Sequence, residues 1–322
     1  MVTIKDIAKA TNVSYSTVSK ALNDSPLVKP ETKQAIIAKA KQLGYTPNFA
    51  AKHLVTKRTN TIGLVWPAIN RVALTELASQ VNKKMREKGM HMLLSINDPM
   101  EAIELFSNMR SDGILLFEED IAQNQLPAHL DIPLLSYGVP GINQFPTVGV
   151  KHEDAMELAV TELARQGHKK IGYVGIIDGL GRRQQTKQRG YTEAMQKRGL
   201  SPLFIPTKGL DVINGSQATT SFLHAHSLPE ALICSSYDIT IGTISALRQA
   251  NLSFPRDLSL ISYDNIPQLA ELEVPVSAVG VPVEQLAEAL VQQLLNLING
   301  QFQQESLELS PELVIRKSSI KS

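Results

Sequence analysis

The chain has 322 residues, 43% of them hydrophobic, and a formal net charge of +1, which is typical of a soluble protein with two or three packed domains. The single cysteine, Cys234, excludes an intramolecular disulfide and a cysteine metal cluster, and its apolar neighbours predict a buried side chain. No apolar stretch approaches the roughly 20 residues that a membrane span needs, and no signal peptide begins the chain. We therefore expect a cytoplasmic protein without membrane contact.

Charge is unevenly distributed along the chain. Residues 1–60 carry ten Lys or Arg and three Asp or Glu, a net charge of +7, whereas residues 61–322 carry 22 basic and 28 acidic residues, a net charge of −6. A basic segment attached to an acidic body is typical of a polyanion-binding headpiece on a separate soluble domain. The alternative is a small helical domain whose basic face is merely solvated.

Residues 4–23 predict two short helices around a tight turn, which is a helix-turn-helix. Apolar residues recur at helical spacing in both halves: Ile4, Ile7, Ala8, Val18, Ala21 and Leu22. Asn12 suits the left-handed backbone of the turn, and Ser14 can cap the second helix by accepting a hydrogen bond from a backbone N–H near Thr17. In this motif the second helix enters the major groove with its N-terminal residues facing base edges. Those residues are Tyr15, Ser16 and Thr17, with Lys20 one turn later.

The rest of the basic segment predicts a third helix and a short fourth one. Residues 27–44 have helical periodicity, with Pro30 suited to the first turn and Gly44 to the end. Asn48 can cap a helix of about two turns over residues 48–56. Because helix nucleation is costly, such a short helix is marginal by itself. It needs a partner, either a second copy of itself or DNA.

From Thr61 onward, short apolar strands alternate with amphipathic helices, a pattern that predicts parallel sheets covered on both faces. The predicted strands are TIGLVWP, MHMLLSI, GILLF, IPLLSY, KIGYVG, ALICSS and LSLISYD. The predicted helices lie near residues 72–89, 99–110, 152–166, 184–199, 212–226, 238–250 and 283–299. About ten strand-helix units are more than a single sheet usually contains. We therefore expect two similar α/β lobes with a cleft at the carboxyl ends of the strands.

The headpiece, the short helix and the two-lobed body together resemble the lactose-repressor/galactose-repressor (LacI/GalR) family of bacterial transcription regulators. The most specific segments are TIKDIAKATNVSYSTVSKALN, LGYTPNFAAKHL, NTIGLV, ARQGHKKIGYVG and LSLISYDNIP. The resemblance covers essentially the whole chain. It implies an all-α helix-turn-helix headpiece over residues 1–60 with a hinge helix at 48–56, followed by a two-lobed α/β body, like that of periplasmic binding proteins, over residues 61–322. The implied lobes comprise residues 61–150 with 283–307, and residues 151–281 with 308–317.

The resemblance also implies which residues contact DNA. Tyr15, Ser16 and Lys20 match the positions that read an operator half-site. Contacts to phosphates or the DNA backbone are implied for Thr3, Ser14, Thr17, Ser19, Asn23 and Tyr45. The hinge helix of the family lies in the minor groove against its dimer mate, and the matching residues are Asn48, Ala51 and Leu54, with Leu54 as the wedge that kinks the duplex. The family usually has Arg at the position of Lys20, and Lys lacks the bidentate fork of Arg, so we expect a different preference at that base pair.

The partners implied by the resemblance are a palindromic double-stranded DNA operator, a second copy of the chain and a small-molecule effector. Some relatives form tetramers through a C-terminal heptad tail, but this chain ends soon after ELVIRKS, so we expect a dimer. In the family the effector changes the lobe arrangement and thereby DNA affinity. We expect a repressor of an operon for carbohydrate uptake or breakdown that the effector releases. A corepressed regulator, or one with a protein effector, remains an alternative.

Asp264 matches the family aspartate that accepts hydrogen bonds from sugar hydroxyls, although a strand-end Asp can instead cap the following helix. The other implied effector positions are Asn70, Arg71, Leu74, Lys187, Leu210, Ser236 and Tyr237. Several positions depart from the usual sugar pattern.

Where the family usually has an arginine that binds sugar hydroxyls, this chain has Lys187. Where the family often has aromatic residues, this chain has Ala73 or Leu74 and Leu210. The chain also has Gly138 in place of an aspartate, Ser236-Tyr237 in place of an Asn-Asp pair, and Val281 in place of a glutamine. Together with Arg71, Arg182 and Arg183, the change at Lys187 predicts a cationic site for an anionic sugar derivative such as a uronate or sugar phosphate. For Arg182 and Arg183 we favour the alternative interpretation, a solvated loop.

An enzyme and a free sugar-binding protein of transport are competing classes. Gly175, Gly179 and Gly181 do not form a dinucleotide-binding motif, and no P-loop is present. His224 and His226 lack a third ligand at metal spacing, and His152 has no nearby nucleophile and more plausibly begins a helix. The basic headpiece and the missing signal peptide argue against a transport protein. We therefore expect a regulator without catalytic residues, cofactor or metal.

Overall fold

The computed structural model describes residues 2–45, 58–66, 68–118, 130–141, 144–177, 181–301 and 306–320. The chain divides into two compact units, Met1–Thr59 and Asn60–Ser322, which we call the headpiece and the body. No helix in the described ranges is long and apolar enough to cross a membrane. The predicted hinge helix over residues 48–56, with Asn48, Ala51 and Leu54, lies outside the described residues.

Three helices form the described part of the headpiece: α1 (Ile4–Thr11), α2 (Tyr15–Leu22) and α3 (Pro30–Gln42). Between α1 and α2, Asn12 has the left-handed backbone that the turn predicts, with φ 53° and ψ 37°. Ser14 Oγ accepts a hydrogen bond from the Thr17 N–H at 3.1 Å, which confirms the predicted cap. The headpiece core consists of Ile7, Val18, Ala21, Val28, Ile36 and Ala40.

The described part of the body forms two six-stranded sheets covered by helices. The strands are β1 (Thr61–Val65), β2 (His91–Ser95), β3 (Gly113–Phe117), β4 (Leu134–Tyr137), β5 (Thr147–Val150), β6 (Ile171–Gly175), β7 (Leu203–Pro206), β8 (Ala231–Cys234), β9 (Ser259–Asn265), β10 (Ser277–Pro282), β11 (Ser306–Leu309) and β12 (Glu312–Val314). The helices are α4 (Val72–Glu87), α5 (Pro99–Asn108), α6 (His152–Arg165), α7 (Arg182–Lys197), α8 (Val212–Ala225), α9 (Tyr237–Gln249) and α10 (Val283–Ile298), with 3-10 turns at Pro267–Leu269 and Lys317–Ser319.

The two sheets have similar strand orders, β11-β5-β4-β3-β1-β2 and β12-β10-β9-β8-β6-β7. Neighbouring strands are parallel throughout, as predicted, except that β12 is antiparallel to β10. We call the part of the body built on the first sheet the first lobe, and the part built on the second sheet the second lobe. Since β11 ends at Leu309, the first lobe takes in two residues beyond the boundary of 307 that the sequence suggested.

Each sheet is covered on both faces because successive strand residues point to opposite sides. In the first lobe, Ile62 and Leu64 pack with α4 and α10, whereas Val65 packs with α5. In the second lobe, Tyr173 packs with α6 and α7, and Cys234 packs on the other face with α8 and α9. Cys234 is fully buried, as its apolar neighbours predict.

Every strand and helix that the sequence predicts in the body is present. The strand β12 falls within ELVIRKS, a segment whose sequence is strand-like. The strands missing from the prediction are β5, β7, β10 and β11, with the sequences TVGV, LFIP, SAVGVP and SLEL. They are short, and they contain Gly, Pro or polar residues rather than a continuous apolar run. Their place in the sheets is therefore determined by neighbouring strands more than by their own sequence.

Candidate functional site

The polar side chains at the start of α2 form an exposed surface on the headpiece. Tyr15 is 54% exposed, and Ser16 and Lys20 are also exposed. On the other side of the same helix, Val18 and Ala21 are buried in the headpiece core. The helix therefore presents an aromatic side chain, a hydroxyl and a cation to solvent, groups that can reach base edges in a groove.

Hydroxyl groups around Ser14 form a small hydrogen-bonded cluster at the N-terminus of α2. Ser14 Oγ lies 2.7 Å from Ser16 Oγ and 2.8 Å from Thr17 Oγ1, and it accepts the Thr17 N–H. The cluster stabilises the first turn of the helix. Ser14 and Ser16 are exposed, so hydroxyl groups lie at the N-terminal end of α2, where a helix favours a phosphate.

The remaining polar residues expected to contact DNA stabilise the ends of α1 and α2. The Thr3 N–H and hydroxyl donate to the Asp6 carboxylate at 2.8 and 2.7 Å, and these bonds lower the pKa of Asp6. Asn23 Nδ2 donates to the Ser19 carbonyl at 2.9 Å. Tyr45 is half-buried against the headpiece core. The structure thus gives each of them a local structural role within the headpiece.

Between the two lobes of the body lies a cavity of about 50 Å³ with both polar and apolar lining, which we call the inter-lobe cavity. It is lined by Arg71, Ala73, Leu74, Leu77, Tyr137, Val150, His152, Arg183, Gln184, Lys187, Tyr263, Asp264, Asn265, Ile266, Gly280, Val281, Val283 and Leu286. Tyr137, Val150 and Asn265 are the last residues of β4, β5 and β9. The cavity therefore lies at the carboxyl ends of the strands, where the sequence predicts the cleft.

Four of the residues expected to bind an effector line this cavity: Arg71, Leu74, Lys187 and Asp264. The other four do not line it: Asn70, Leu210, Ser236 and Tyr237. Asn70 is exposed and Leu210 is half-buried ahead of α8. Ser236 is buried and caps α9 by accepting the Ile239 N–H at 3.3 Å. The Tyr237 N–H donates to Asp264 Oδ2, a side chain that does line the cavity.

Asp264 caps a helix and also lines the inter-lobe cavity, and its contact with sugar hydroxyls stays a prediction. Its Oδ2 accepts the Tyr237 N–H at 2.9 Å, so it caps α9, a helix that precedes it in the chain rather than follows it. Its backbone has φ 79°, a left-handed conformation that is uncommon for a residue other than glycine. The bond to α9 holds the carboxylate in place, and the side chain still lines the inter-lobe cavity.

Lys187 and His152 lie side by side in the buried part of the cavity. Lys187 is 2% exposed, donates from Nζ to the Ser235 carbonyl at 2.9 Å, and lies 3.4 Å from the centre of the Tyr263 ring. His152 Nδ1 is hydrogen-bonded to the Tyr263 hydroxyl. Burial and the cations Lys187 and Arg183 hold the pKa of His152 well below its usual range. His152 is therefore neutral at neutral pH. It is also the first residue of α6, as expected.

A solvated loop is the wrong interpretation of Arg182 and Arg183, because both lie in the first turn of α7. Arg182 is exposed, whereas Arg183 is buried against the first lobe. Its guanidinium carbon lies 4.4 and 4.3 Å from the ring centres of Phe117 and Tyr137, and Nη2 donates to the Tyr137 carbonyl at 3.3 Å. The error arose because α7 begins two residues before the predicted start at 184, and helix ends are the least certain feature of a periodic pattern.

Gln184 is a cavity residue that the sequence analysis missed. It follows Arg183 in α7, is 3% exposed and lines the cavity. The available signal was spacing, because residues 184 and 187 are three apart and share one face of a helix. The helix predicted there begins at residue 184, so the pattern did not group Gln184 with Lys187.

Polar contacts join the two lobes beside the cavity. Asp238 Oδ1 accepts the Val72 N–H at 3.5 Å, and Gln268 Nε2 donates to Glu76 Oε2 at 2.8 Å. Burial raises the pKa of Asp238. The first contact is long, and each replaces a bond that water could supply, so neither strongly fixes the lobe arrangement.

Gly138 is the position where the family commonly has an aspartate, and it lies next to the acidic side chain of Glu118. A Cβ on residue 138 would collide with the carboxylate of Glu118, which follows β3. Glu118 Oε2 accepts a hydrogen bond from Ser136 Oγ at 2.9 Å. A carboxylate is therefore present at this edge of the first sheet, but it comes from a different strand and is directed toward Ser136.

Comparison with known proteins agrees with the two-unit architecture. Residues 3–48 match bacterial regulatory proteins of the lacI family, and residues 160–319 match a periplasmic binding protein-like domain. The probable HTH-type transcriptional repressor ExuR of Bacillus subtilis (strain 168) is 32% identical over 330 residues, covering 99% of this chain and 98% of the relative. The ribose operon repressor of Haemophilus influenzae is 31% identical over 337 residues, covering 99% and 98%.

A crystal structure of the Lac repressor dimer bound to operator and the anti-inducer ONPF has the same fold, with a TM-score of 0.88, 22% identity and 99% of both chains covered. The relatives span the whole chain and are repressors rather than enzymes. The full-length matches agree with the helix-turn-helix headpiece and with the two sheets on either side of the inter-lobe cavity. They show that the chain belongs to the lacI family of bacterial regulatory proteins and is a transcriptional repressor regulated by a small-molecule effector.

Proposed function

We propose that the protein represses an operon of carbohydrate uptake or breakdown, binding a palindromic operator as a two-fold dimer. The observation that carries this proposal is the exposed polar side of α2 within a segment of net charge +7. Tyr15, Ser16 and Lys20 would read base edges. Phosphate and minor-groove contacts are proposed for Thr3, Ser14, Thr17, Ser19, Asn23, Tyr45, Asn48, Ala51 and Leu54.

The proposed effector is a sugar-type molecule bound between the lobes. Asp264 presents a fixed carboxylate to the cavity, and carboxylates accept hydrogen bonds from sugar hydroxyls. One relative, 31% identical, is named as a ribose operon repressor, which supports a carbohydrate operon. The proposed effector residues are Asn70, Arg71, Leu74, Lys187, Leu210, Ser236, Tyr237 and Asp264. Four of these residues do not line the inter-lobe cavity and would act from outside it: Asn70, Leu210, Ser236 and Tyr237.

Release of DNA would follow from a shift between two lobe arrangements. An effector changes operator affinity only by its different affinity for these arrangements. Weak polar contacts between the lobes, such as Asp238 to the Val72 N–H, permit such a shift. An effector that favours the DNA-binding arrangement would instead act as a corepressor. Operator affinity measured with and without the effector distinguishes an inducer from a corepressor.

The proposal is tested by operator binding in a fluorescence anisotropy titration. We expect log K to fall steeply with log salt, since each neutralised phosphate adds about −0.9 to the slope. A nearly flat dependence would contradict phosphate binding by the headpiece. A thermal-shift screen of neutral sugars, sugar acids and sugar phosphates then identifies effectors, because a ligand at 100 times its Kd stabilises by about 2.7 kcal/mol. A hit that releases operator DNA supports an induced repressor, and one that tightens binding indicates a corepressor.

An exposed apolar patch on the first lobe supports the proposed dimer. Leu94, Ile96 and Met100 follow one another at the end of β2 and the start of α5, and they are 48%, 55% and 40% exposed. A contiguous apolar patch can mark a protein interface, and we propose that these three side chains belong to the dimer contact. We expect Ile96→Glu to shift the protein toward monomer in sedimentation velocity and to weaken operator binding. Leu158→Glu, on the exposed side of α6, is the matched control and should remain dimeric.

A further inference from the structure

The first turn of α7 places two polar side chains in the inter-lobe cavity that have unpaired hydrogen-bonding atoms. Arg183 and Gln184 are 8% and 3% exposed. Among the described residues, Arg183 Nε and both amide atoms of Gln184 have no hydrogen-bond partner. A buried polar group without a partner destabilises the folded protein, so a native site usually keeps such groups for a ligand or for water.

The charge of the cavity favours an anion. Its described lining contains three cations, Arg71, Arg183 and Lys187, and one carboxylate, Asp264. The Asp238 carboxylate lies beside the cavity and interacts with Arg71, so the cations exceed the carboxylates by one. His152 adds no charge at neutral pH, because its pKa is held well below its usual range. A ligand with one negative charge would offset this excess, whereas a neutral ligand would leave it unchanged.

We propose that the effector is a sugar acid whose carboxylate binds Arg183 and whose neighbouring hydroxyl binds Gln184. This proposal rests on the proposed function, in which the inter-lobe cavity takes a sugar-type effector. Arg183 Nε has no partner, and Nη2, the other donor on the same edge, donates to the Tyr137 carbonyl at 3.3 Å. A planar carboxylate matches this edge through two parallel hydrogen bonds, one from each nitrogen. The Gln184 amide can donate to one hydroxyl oxygen and accept from another, which suits the polyol part of the ligand.

Arg183 also connects the ligand to the lobe arrangement. It belongs to the second lobe, but its guanidinium contacts the Phe117 and Tyr137 rings and the Tyr137 carbonyl of the first lobe. A carboxylate that pairs with both Nε and Nη2 of Arg183 would replace the bond from Nη2 to the Tyr137 carbonyl. Binding at Arg183 would therefore move its guanidinium away from Tyr137 or separate the lobes. Either change gives the ligand a different affinity for the two arrangements, which is the condition for allosteric control.

Isothermal titration calorimetry on the full-length protein tests the ligand class. The probes are glucuronate, galacturonate and gluconate, with glucose, galactose and their 6-phosphates for comparison. We expect at least one sugar acid to bind ten or more times as tightly as the corresponding neutral sugar. Arg183→Gln should weaken sugar-acid binding by about 10- to 150-fold, the typical effect of a lost hydrogen bond to a charged group, and Gln184→Leu by about 3- to 10-fold.

Arg182→Gln is the matched control, because it removes the same charge from the exposed neighbouring position and should change affinity less than about twofold. Arg183→Lys keeps the positive charge but cannot donate two parallel hydrogen bonds to one carboxylate. Its affinity for the sugar acid should lie between those of the parent protein and Arg183→Gln. Thermal melting without ligand and operator binding check that each variant is folded.

Three results would overturn the assignment: preference of the parent protein for a neutral sugar or a sugar phosphate, no binding of any of the sugar acids, or equal sugar-acid affinity in Arg183→Gln and Arg182→Gln. Operator binding that a neutral sugar releases would overturn only the carboxylate proposal. Failure of the parent protein to bind operator DNA would overturn the proposed function itself.

Discussion

The headpiece and the inter-lobe cavity present their polar groups in opposite ways. On α2, Tyr15 and Lys20 are exposed on one short helix. In the cavity, Arg183 and Lys187 are buried and are held against aromatic rings and backbone carbonyls. Exposed charges suit a large polyanion, whose binding is long-range and weakened by salt. Buried, preoriented charges suit a small ligand that must be enclosed to be recognised.

This contrast has a consequence for mutation. Because the α2 surface is exposed, changes there should alter DNA binding with little effect on folding. Because the cavity groups are buried, changes there should alter ligand binding and the stability of the body together. The following four experiments test whether the two regions can be separated in this way.

The largest effect is expected from the headpiece core. Ile36→Ala removes a side chain that is 1% exposed, and such truncations cost about 2–5 kcal/mol. The free energy of unfolding of a unit as small as the headpiece is low, so we expect the headpiece of this variant to unfold. Operator binding should then fall at least a hundredfold, while thermal shifts induced by effectors in the body should persist. Circular dichroism of the variant measures the lost helix.

Ile37→Ala is the control for this variant. Ile37 is the next residue of α3 and is 48% exposed, so its truncation should leave operator affinity within about twofold of the parent value. If Ile36→Ala also abolished effector binding, the headpiece and the body would not behave as separate units.

The next effect concerns the exposed side of α2. Lys20→Ala should weaken operator binding by about 1–3 kcal/mol, or about 5- to 150-fold, because it removes a cation from the proposed contact surface. The slope of log K against log salt should become shallower by about one. Anisotropy titrations at several salt concentrations measure both quantities. Lys41→Ala, at the exposed end of α3, provides the same change in charge for comparison. Equal effects of the two variants would indicate that only net charge matters.

The cavity should respond to pH through His152. Its pKa is lowered by burial and by Lys187 and Arg183, so the unfolded state takes up a proton below pH 6.5 that the folded state excludes. The free energy of unfolding should therefore fall as pH drops below about 6.5, by up to about 1.4 kcal/mol per pH unit for this one group.

His152→Gln removes this titration and should flatten the dependence, although its stability at pH 7.5 will be lower. Urea unfolding at pH 7.5, 6.5 and 5.5 can be followed by fluorescence of the single tryptophan, Trp66, which is buried in the first lobe. His226→Gln, at an exposed position, should keep the parent pH dependence. An unchanged slope in His152→Gln would show that His152 is not the titrating group.

The same contrast explains which features could be predicted from the sequence. The turn at Asn12 and the cap at Ser14 depend on neighbours within a few residues, so the local pattern specified them. The strand and helix alternation of the body was also visible, because continuous apolar strands and amphipathic helices leave periodic patterns. The family assignment came from contiguous segments of this kind.

The cavity could be predicted only in part because its residues come from distant parts of the chain. Arg71, Lys187 and Asp264 were found by position in the family pattern. Burial of Arg183 depends on Phe117 and Tyr137 of the other lobe, and nothing near residue 183 in the sequence indicates that contact. The presence of Glu118 beside Gly138 is a similar case, since two strands must pair before the side chain reaches that position.

The smallest effect expected is that of the cap that orients α2. Ser14→Ala removes the oxygen that accepts the Thr17 N–H and should destabilise the headpiece by about 1 kcal/mol. Thermal melting monitored by circular dichroism measures this loss, and Ser14→Asp should restore it because Asp caps equally well. For DNA binding the two substitutions should differ, since Asp brings a negative charge to a surface proposed to contact phosphate. Recovery of both stability and operator affinity in Ser14→Asp would mean that Ser14 serves the helix alone, and recovery of stability only would place it at the DNA interface.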